Sequence, residues 1–220
     1  MWNTDGMSTP ELAPLTRERR KQLTRDHLLA SAERLFIERG FHAASIDDIA
    51  QAAGFTKGAV YAHFRNKEEV FIALTERRWD EQLARVRTAL DTLATSSADQ
   101  RSASFVDLTR NLLWDDPDWR LLALEFNVYA ARNPSAQHRL SERHRVDQSM
   151  LAALLARDLG QRGVDPPISP HALAGVLLAF FNGIALKHTT NPEQDDNEVL
   201  SAAIHLIDIA LEGSDGREGM

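Results

Sequence analysis

The sequence has no cysteine. That excludes a disulfide framework, a thiolate nucleophile and a zinc–thiolate cluster. Aromatic residues make up 7% of the chain, with only two tyrosines, so an aromatic on a polar stretch is informative. The longest apolar stretch, around Ala172 to Leu186, is interrupted by Asn182 and Gly183 and reads as too short to span a bilayer. The opening residues MWNTDGMSTPELAPL lack the basic and apolar blocks of a secretory leader. Together these absences predict a cytoplasmic chain with no membrane association. No nucleophile elbow, phosphate loop or paired metal motif is present, which argues against an enzyme. No cofactor and no metal site is expected; His138 and Glu142, four apart, read as an exposed polar face.

What is present is unevenly distributed. The 220 residues carry a formal charge of -7. Between Leu15 and Val70, however, ten Lys and Arg stand against eight Asp and Glu, a net of +2. A basic head on an acidic body suits a head that meets a polyanion.

The periodicity is helical throughout, with few strand signals. A first helix is expected from Thr24, its N-cap, to Arg39, with Leu28, Leu29, Ala32, Leu35 and Phe36 on one face. Gly40 ends it. Ser45 caps a second helix over 46–53, with Asp48 completing a capping box. Gly54 suits a left-handed turn, Phe55 plugs it, and Thr56 caps a third helix over 57–64. A fourth is expected over 67–93. Later helices are expected near 102–114, over 118–132 after Pro117, from Pro134 to Gly160 or Gly163, from Ser169-Pro170 onward, and up to Gly213. The fold class is all-α.

Two short helices joined by a tight glycine turn make a helix-turn-helix. An ordinary helical hairpin would place apolar residues along its second helix. Here only Val60, Phe64 and Ala59 qualify, while Lys57, Gly58, Tyr61 and His63 make a polar face.

The stretch GFHAASIDDIAQAAGFTKGAVYAHFRNKEEV, from Gly40 to Val70, resembles the DNA-binding domain of TetR-family transcriptional regulators. The residues that carry the resemblance are Gly40-Phe41, Ser45, Ile49-Ala50, Ala53-Gly54, Thr56, Gly58, Val60, Tyr61, His63-Phe64 and Lys67-Glu68. Phe55 departs from the more usual Val or Ile, a matter of packing. The resemblance covers about a quarter of the chain. It implies a three-helix DNA-binding head over 16–66 and a helical ligand-binding and dimerisation body over 67–213, flanked by tails at 1–15 and 214–220.

In a major groove, the polar face of the third helix reads as follows. Lys57 is the candidate for a guanine edge and Ala59 for a thymine methyl. Gly58 permits close approach; its other reading is packing against the second helix. Thr56 caps its helix and donates to a phosphate. Tyr61 and His63 are phosphate clamps, as the resemblance also implies, or else a core aromatic and a satisfied core histidine. Lys67 and Ser45 each offer a helix N-terminus to a phosphate. Upstream, TRERRKQLTR is either a basic arm along the DNA or a solvated leader.

The resemblance further implies a homodimer on a double-stranded, pseudo-palindromic operator, acting as a repressor and released by a small molecule in the body. The last two helices are the expected dimer surface, with Val176, Phe180, Ile184, Val199, Ala203 and Leu206. Trp79, Phe105, Trp119, Leu122, Glu125, Phe126, Tyr129, Phe181 and Asn182 are the candidates for a pocket suited to a largely apolar effector. The rivals are a DNA-binding protein without a sensor and an all-α enzyme.

Overall fold

A computed structural model describes residues 16–93, 116–191, 193 and 197–212. The described residues form eight helices and no strand: α1 Arg17–Ala43, α2 Ile46–Ala53, α3 Lys57–Tyr61, α4 Lys67–Leu93, α5 Pro117–Arg132, α6 Pro134–Arg162, α7 Pro170–Thr190 and α8 Asn197–Glu212. The helix expected near 102–114, and Phe105 with it, lies outside the described residues.

α1 begins eight residues earlier than its apolar periodicity suggests. Thr16, not Thr24, is its N-cap, its Oγ1 accepting the Arg19 N–H at 3.2 Å. Arg, Lys, Gln and Leu are good helix formers, and nothing in 17–24 breaks a helix. The basic stretch is therefore helical, the solvent-exposed opening of α1. At the other end Gly40 breaks the helix with φ 78° and ψ 161°, a backbone region open essentially to glycine alone, and one further turn follows to Ala43.

α2 has the full capping box: Ser45 Oγ accepts the Asp48 N–H at 3.1 Å, and Asp48 Oδ2 accepts the Ser45 N–H at 3.0 Å. Gly54 closes it in the left-handed conformation, φ 72°. α3 stops at Tyr61 rather than Phe64, because Ala62 and His63 turn instead; the N–H groups of His63 and Phe64 both donate to the Val60 carbonyl at 2.9 Å. Phe64 is buried all the same, at 2% exposure.

One apolar cluster runs from the head into the body. It holds Leu28, Phe36, Phe41, Ile49, Val60 and Phe64, then Phe71 and Leu74 of α4, Leu122 and Phe126 of α5, and Leu140 of α6. Burial of this kind stabilises by about 25 cal/mol per Å2 of apolar surface. Head and first body helices are thus held by shared packing, and no linker intervenes between α3 and α4 beyond residues 62–66.

α7 corrects an expectation. Asn182 and Gly183 do not interrupt it, and its 21 residues are long and apolar enough, by length and composition, to cross a membrane. In this fold it packs against α6, with Leu173 and Leu177 meeting Leu159. A mid-helix glycine costs only about 1 kcal/mol, which packing of this extent overrides. The expected dimer stripe divides here. Ile184 is buried at 5% exposure and belongs to the subunit core, and Phe180 is half-buried. Val176, Val199 and Leu206 are exposed at 57%, 41% and 66%, joined by Leu186 at 51%, while Ala203 is intermediate.

Candidate functional site

α3 is held on the head by its apolar side, with Val60 fully buried, and by Phe64 just beyond it. Its other side faces outward: Lys57 and Gly58 are exposed and Tyr61 is 50% exposed. The turn that presents it is short because Phe55 N–H donates to the Ala50 carbonyl at 2.9 Å. Thr56 caps α3, its Oγ1 accepting the Ala59 N–H at 3.2 Å. A Cβ on Gly58 would meet only that same Oγ1, at 3.8 Å, which is ordinary contact. Packing against α2 does not require a glycine there. The outward face thus combines bare backbone at Gly58 with the polar side chains of Lys57 and Tyr61, and a helix of this kind is what a major groove admits.

Lys57 is not idle in the free protein. Its Nζ is 2.9 Å from Asp47 Oδ2, a hydrogen bond that raises its pKa. Both side chains remain more than half exposed, so the pair is screened and gives way readily. His63 is half-buried. Its pKa is lowered by burial, and further by Lys21 and Arg25 of α1. Arg25 also lies over the Phe64 ring at 5.1 Å. The opening of α1 therefore supplies cations beside the end of α3. Sequence reasoning put Arg25 at the start of the first helix and left Lys21 in an unplaced basic stretch; the signal was their spacing of four, which puts both on one helix face.

Two expected phosphate contacts are engaged elsewhere. The N–H of Ser45 donates to Asp48 and its hydroxyl serves the capping box. Lys67 turns its ammonium inward: Nζ donates to the carbonyls of Phe41, Ala44 and His42 at 2.7, 2.8 and 3.1 Å and sits 4.5 Å from the centre of the Phe41 ring. Burial lowers its pKa, with Glu68 and Glu125 acting in the other direction.

The same 40–44 link is gripped from the body. Glu125 accepts the Phe41 and His42 N–H groups at 3.0 and 3.1 Å. Tyr129 donates its hydroxyl to Glu68 Oε1 at 2.6 Å. Glu125 and Tyr129, expected in an effector pocket, thus serve the joint between head and body, and Leu122 is core at 3% exposure.

A cavity of about 740 Å3, partly open to solvent, lies between α4, α5, α6 and α7. Trp79, Trp119, Phe126, Phe181 and Asn182 of the expected set line it. So do Leu83, Val86, Leu151, Leu155 and a polar group of Arg78, Arg120, Arg143 and Asp147. Arg143 and Asp147 were missed as part of a long polar helix face. Their ion-pair spacing of four was visible, but their burial was not. Arg78 donates to Glu33 of α1 at 2.8 Å and to Asp116 at 2.5 Å, and its guanidinium lies 4.3 Å from the Trp119 ring centre. Burial alone would raise the Asp116 pKa, but the Trp119 N–H and Arg78 outweigh it and hold the carboxyl below its ordinary value. From the cavity wall an aromatic path leads to the head. Trp119 stacks on Phe71 at 5.6 Å, Phe71 on Phe126 at 3.9 Å, and Phe126 meets Phe41 edge-on at 4.8 Å.

Comparison with known proteins fits this arrangement. Residues 28–74 match the model of bacterial regulatory proteins of the tetR family, and residues 98–211 match that of the BetI-type transcriptional repressor C-terminal domain. The transcriptional activator FasR of Mycolicibacterium smegmatis is 32% identical over 136 residues, which span 62% of this chain and 60% of FasR. The transcriptional regulator UidR of Escherichia coli is 29% identical over 74% of this chain and 80% of its own length. A solved transcriptional regulator from a Rhodococcus species superposes with a TM-score of 0.62 at 27% identity, covering 87% of this chain and 97% of that one. With one match on the helix-turn-helix and the other over half the chain, the protein belongs to the TetR family and is a DNA-binding transcriptional regulator, not an enzyme.

Proposed function

We propose that the protein acts as a homodimeric repressor of a pseudo-palindromic operator in the cytoplasm and that a largely apolar small molecule in the body releases it. The outward face of α3, polar and open at Gly58 over a buried Val60 and Phe64, is the observation that carries the DNA half of this reading. Lys57 reads a base edge after leaving Asp47, and Ala59 meets a thymine methyl. Thr56, Tyr61 and His63 hold phosphates, with Lys21 and Arg25 adding charge. Lys67 and Ser45 drop out of the contact set, because their donors are already engaged. Repression rather than activation is favoured by the match to a repressor-type C-terminal domain.

A single head makes too few contacts for selectivity, so a second copy is required, with half-sites about 34–36 Å apart. Exposed Val176, Leu186, Val199 and Leu206 suit that partner. The cavity suits the effector. A molecule there touches Trp119, Phe71 and Phe126, and through Phe126 and its neighbour Glu125 it bears on the 40–44 link. A differential affinity of about 1–3 kcal/mol between bound and released states is a typical coupling. In this reading the head spans 16–66 and the body 67–213.

The test is a salt series of binding to duplexes from the region upstream of the protein's own gene, with operators also selected from random duplexes. Tight, sequence-selective binding by a dimer is expected. Equal, weak binding to every duplex, selected ones included, would remove the operator reading.

A further inference from the structure

The cavity is apolar along most of its wall, yet α4 and α6 place charge at one part of it. Arg143 of α6 pairs with Asp147 one turn on and reaches Glu76 of α4 at 3.7 Å. The side chains of Arg143 and Asp147 retain only 11% and 12% of their exposure. Trp79 stands on α4 three residues beyond Glu76, packed on the cluster formed by Leu151, Ala152 and Ala174. Its indole Nε1–H and the Nε–H of Arg143 are buried with no hydrogen-bond acceptor among the described residues. Both groups can only donate. A donor buried without an acceptor carries a desolvation cost that an incoming acceptor removes. The Asp147 carboxylate is ion-paired with the Arg143 guanidinium and takes neither the Nε–H of Arg143 nor the indole N–H.

Accepting the effector-cavity reading above, we infer that the ligand is an amphipath whose oxygen acceptor, a carbonyl or a carboxylate, takes the N–H groups of Trp79 and Arg143. Its apolar body lies along Leu83, Val86, Leu151 and Leu155. An ammonium head is disfavoured twice. It offers no acceptor to either donor, and of the charged groups that line the cavity Arg78, Arg120 and Arg143 outnumber the one carboxylate, Asp147. A wholly apolar ligand would leave the two donors as they are. The volume of about 740 Å3 is in the range of small-molecule sites.

The experiment is calorimetric titration of the full chain, without DNA, with dodecanoic acid, 2-dodecanone and dodecylamine below their aggregation limits. At least one of the two oxygen ligands is expected to bind about tenfold or more tighter than the amine, or about 1.4 kcal/mol. A tight acid and a weak ketone assign a carboxylate head; equal affinities assign a neutral acceptor. Trp79→Phe keeps an aromatic side chain but removes the N–H together with part of the fused ring; it is expected to lose most of the preference of acid or ketone over amine, a ratio that lost packing alone would leave unchanged. Arg143→Met leaves Asp147 buried and can unfold the chain, so Arg143→Met is paired with Asp147→Leu, a replacement buried pairs often tolerate. Amine binding as tight as acid and ketone overturns the inference, as does no binding by any of the three or an undiminished preference in Trp79→Phe. Operator binding is titrated separately, so failure to select DNA is recorded independently of the ligand result.

Discussion

Glu125 accepts the backbone N–H of Phe41 at 3.0 Å, across 84 residues of sequence, and the next N–H of His42 at 3.1 Å. A body side chain thus caps the first turn of the head after the Gly40 break. Gly40 leaves room for that carboxylate: a Cβ there would come within 3.0 Å of Glu125 Oε2. With φ at 78° the backbone also disfavours any other residue. Gly40→Ala is expected to lower stability by about 2 kcal/mol or more, from the backbone penalty and the displaced carboxylate together. Glu125→Ala is expected to cost about 1.5–3 kcal/mol. Urea denaturation measures both; a loss in either variant under about 0.5 kcal/mol would mean the cap is not holding the link.

Lys67 holds the carbonyl side of the same link. Family resemblance and a helix N-terminus suggest a phosphate contact, whose loss would lower the salt slope of DNA binding by about one. The three carbonyls on its ammonium suggest another outcome. Lys67→Met is expected to cost about 2 kcal/mol of stability and leave the salt slope within experimental scatter of the parent. A slope reduced by one, with unchanged stability, would return Lys67 to the phosphate set.

Gly58 allows folding and binding to be separated. Alanine there meets only Thr56 Oγ1 at 3.8 Å. The helix gains up to about 1 kcal/mol of propensity. Gly58→Ala is therefore expected to raise the melting temperature slightly while weakening operator binding. If both the stability and the operator affinity rise, close backbone approach is not why glycine is there.

If Lys57 reads a base edge as proposed, Asp47 competes with DNA for its ammonium. Removing its charge frees the ammonium and takes a negative group from beside the groove. Asp47→Asn is expected to tighten DNA binding about two- to fivefold and to steepen the salt dependence, because Lys57 then carries counterions that binding releases. Fluorescence anisotropy across a salt series reads both quantities. Affinity equal to or below that of the parent would place Lys57 outside the contact surface.

The head was the more legible part. Ser45, Gly54 and Thr56 act through their own backbones and neighbours, so local spacing is enough to reveal a cap, a left-handed turn and the face of α3. The opening of α1 was hidden because Arg17 to Leu23 form a helix with no buried side, and periodicity sees only buried sides. The ligand candidates divided for a different reason. Trp119 and Phe126 line the cavity, while Leu122, Glu125 and Tyr129, on the same helix, face the head. Which side of an amphipathic helix meets a cavity depends on its neighbours.

By itself, then, the sequence determined the all-helical class, the caps of α2 and α3, the turn that projects α3 and the polar face it carries, since these follow from interactions within a few residues. Tertiary structure alone decided that Lys67 donates to three carbonyls of the 40–44 link, that Glu125 caps a distant turn, that Ile184 is core, and that Arg143 and Asp147 border a cavity. Each of those depends on contacts between helices far apart in the chain, where burial and charge pairing are set by packing, and no local pattern encodes them.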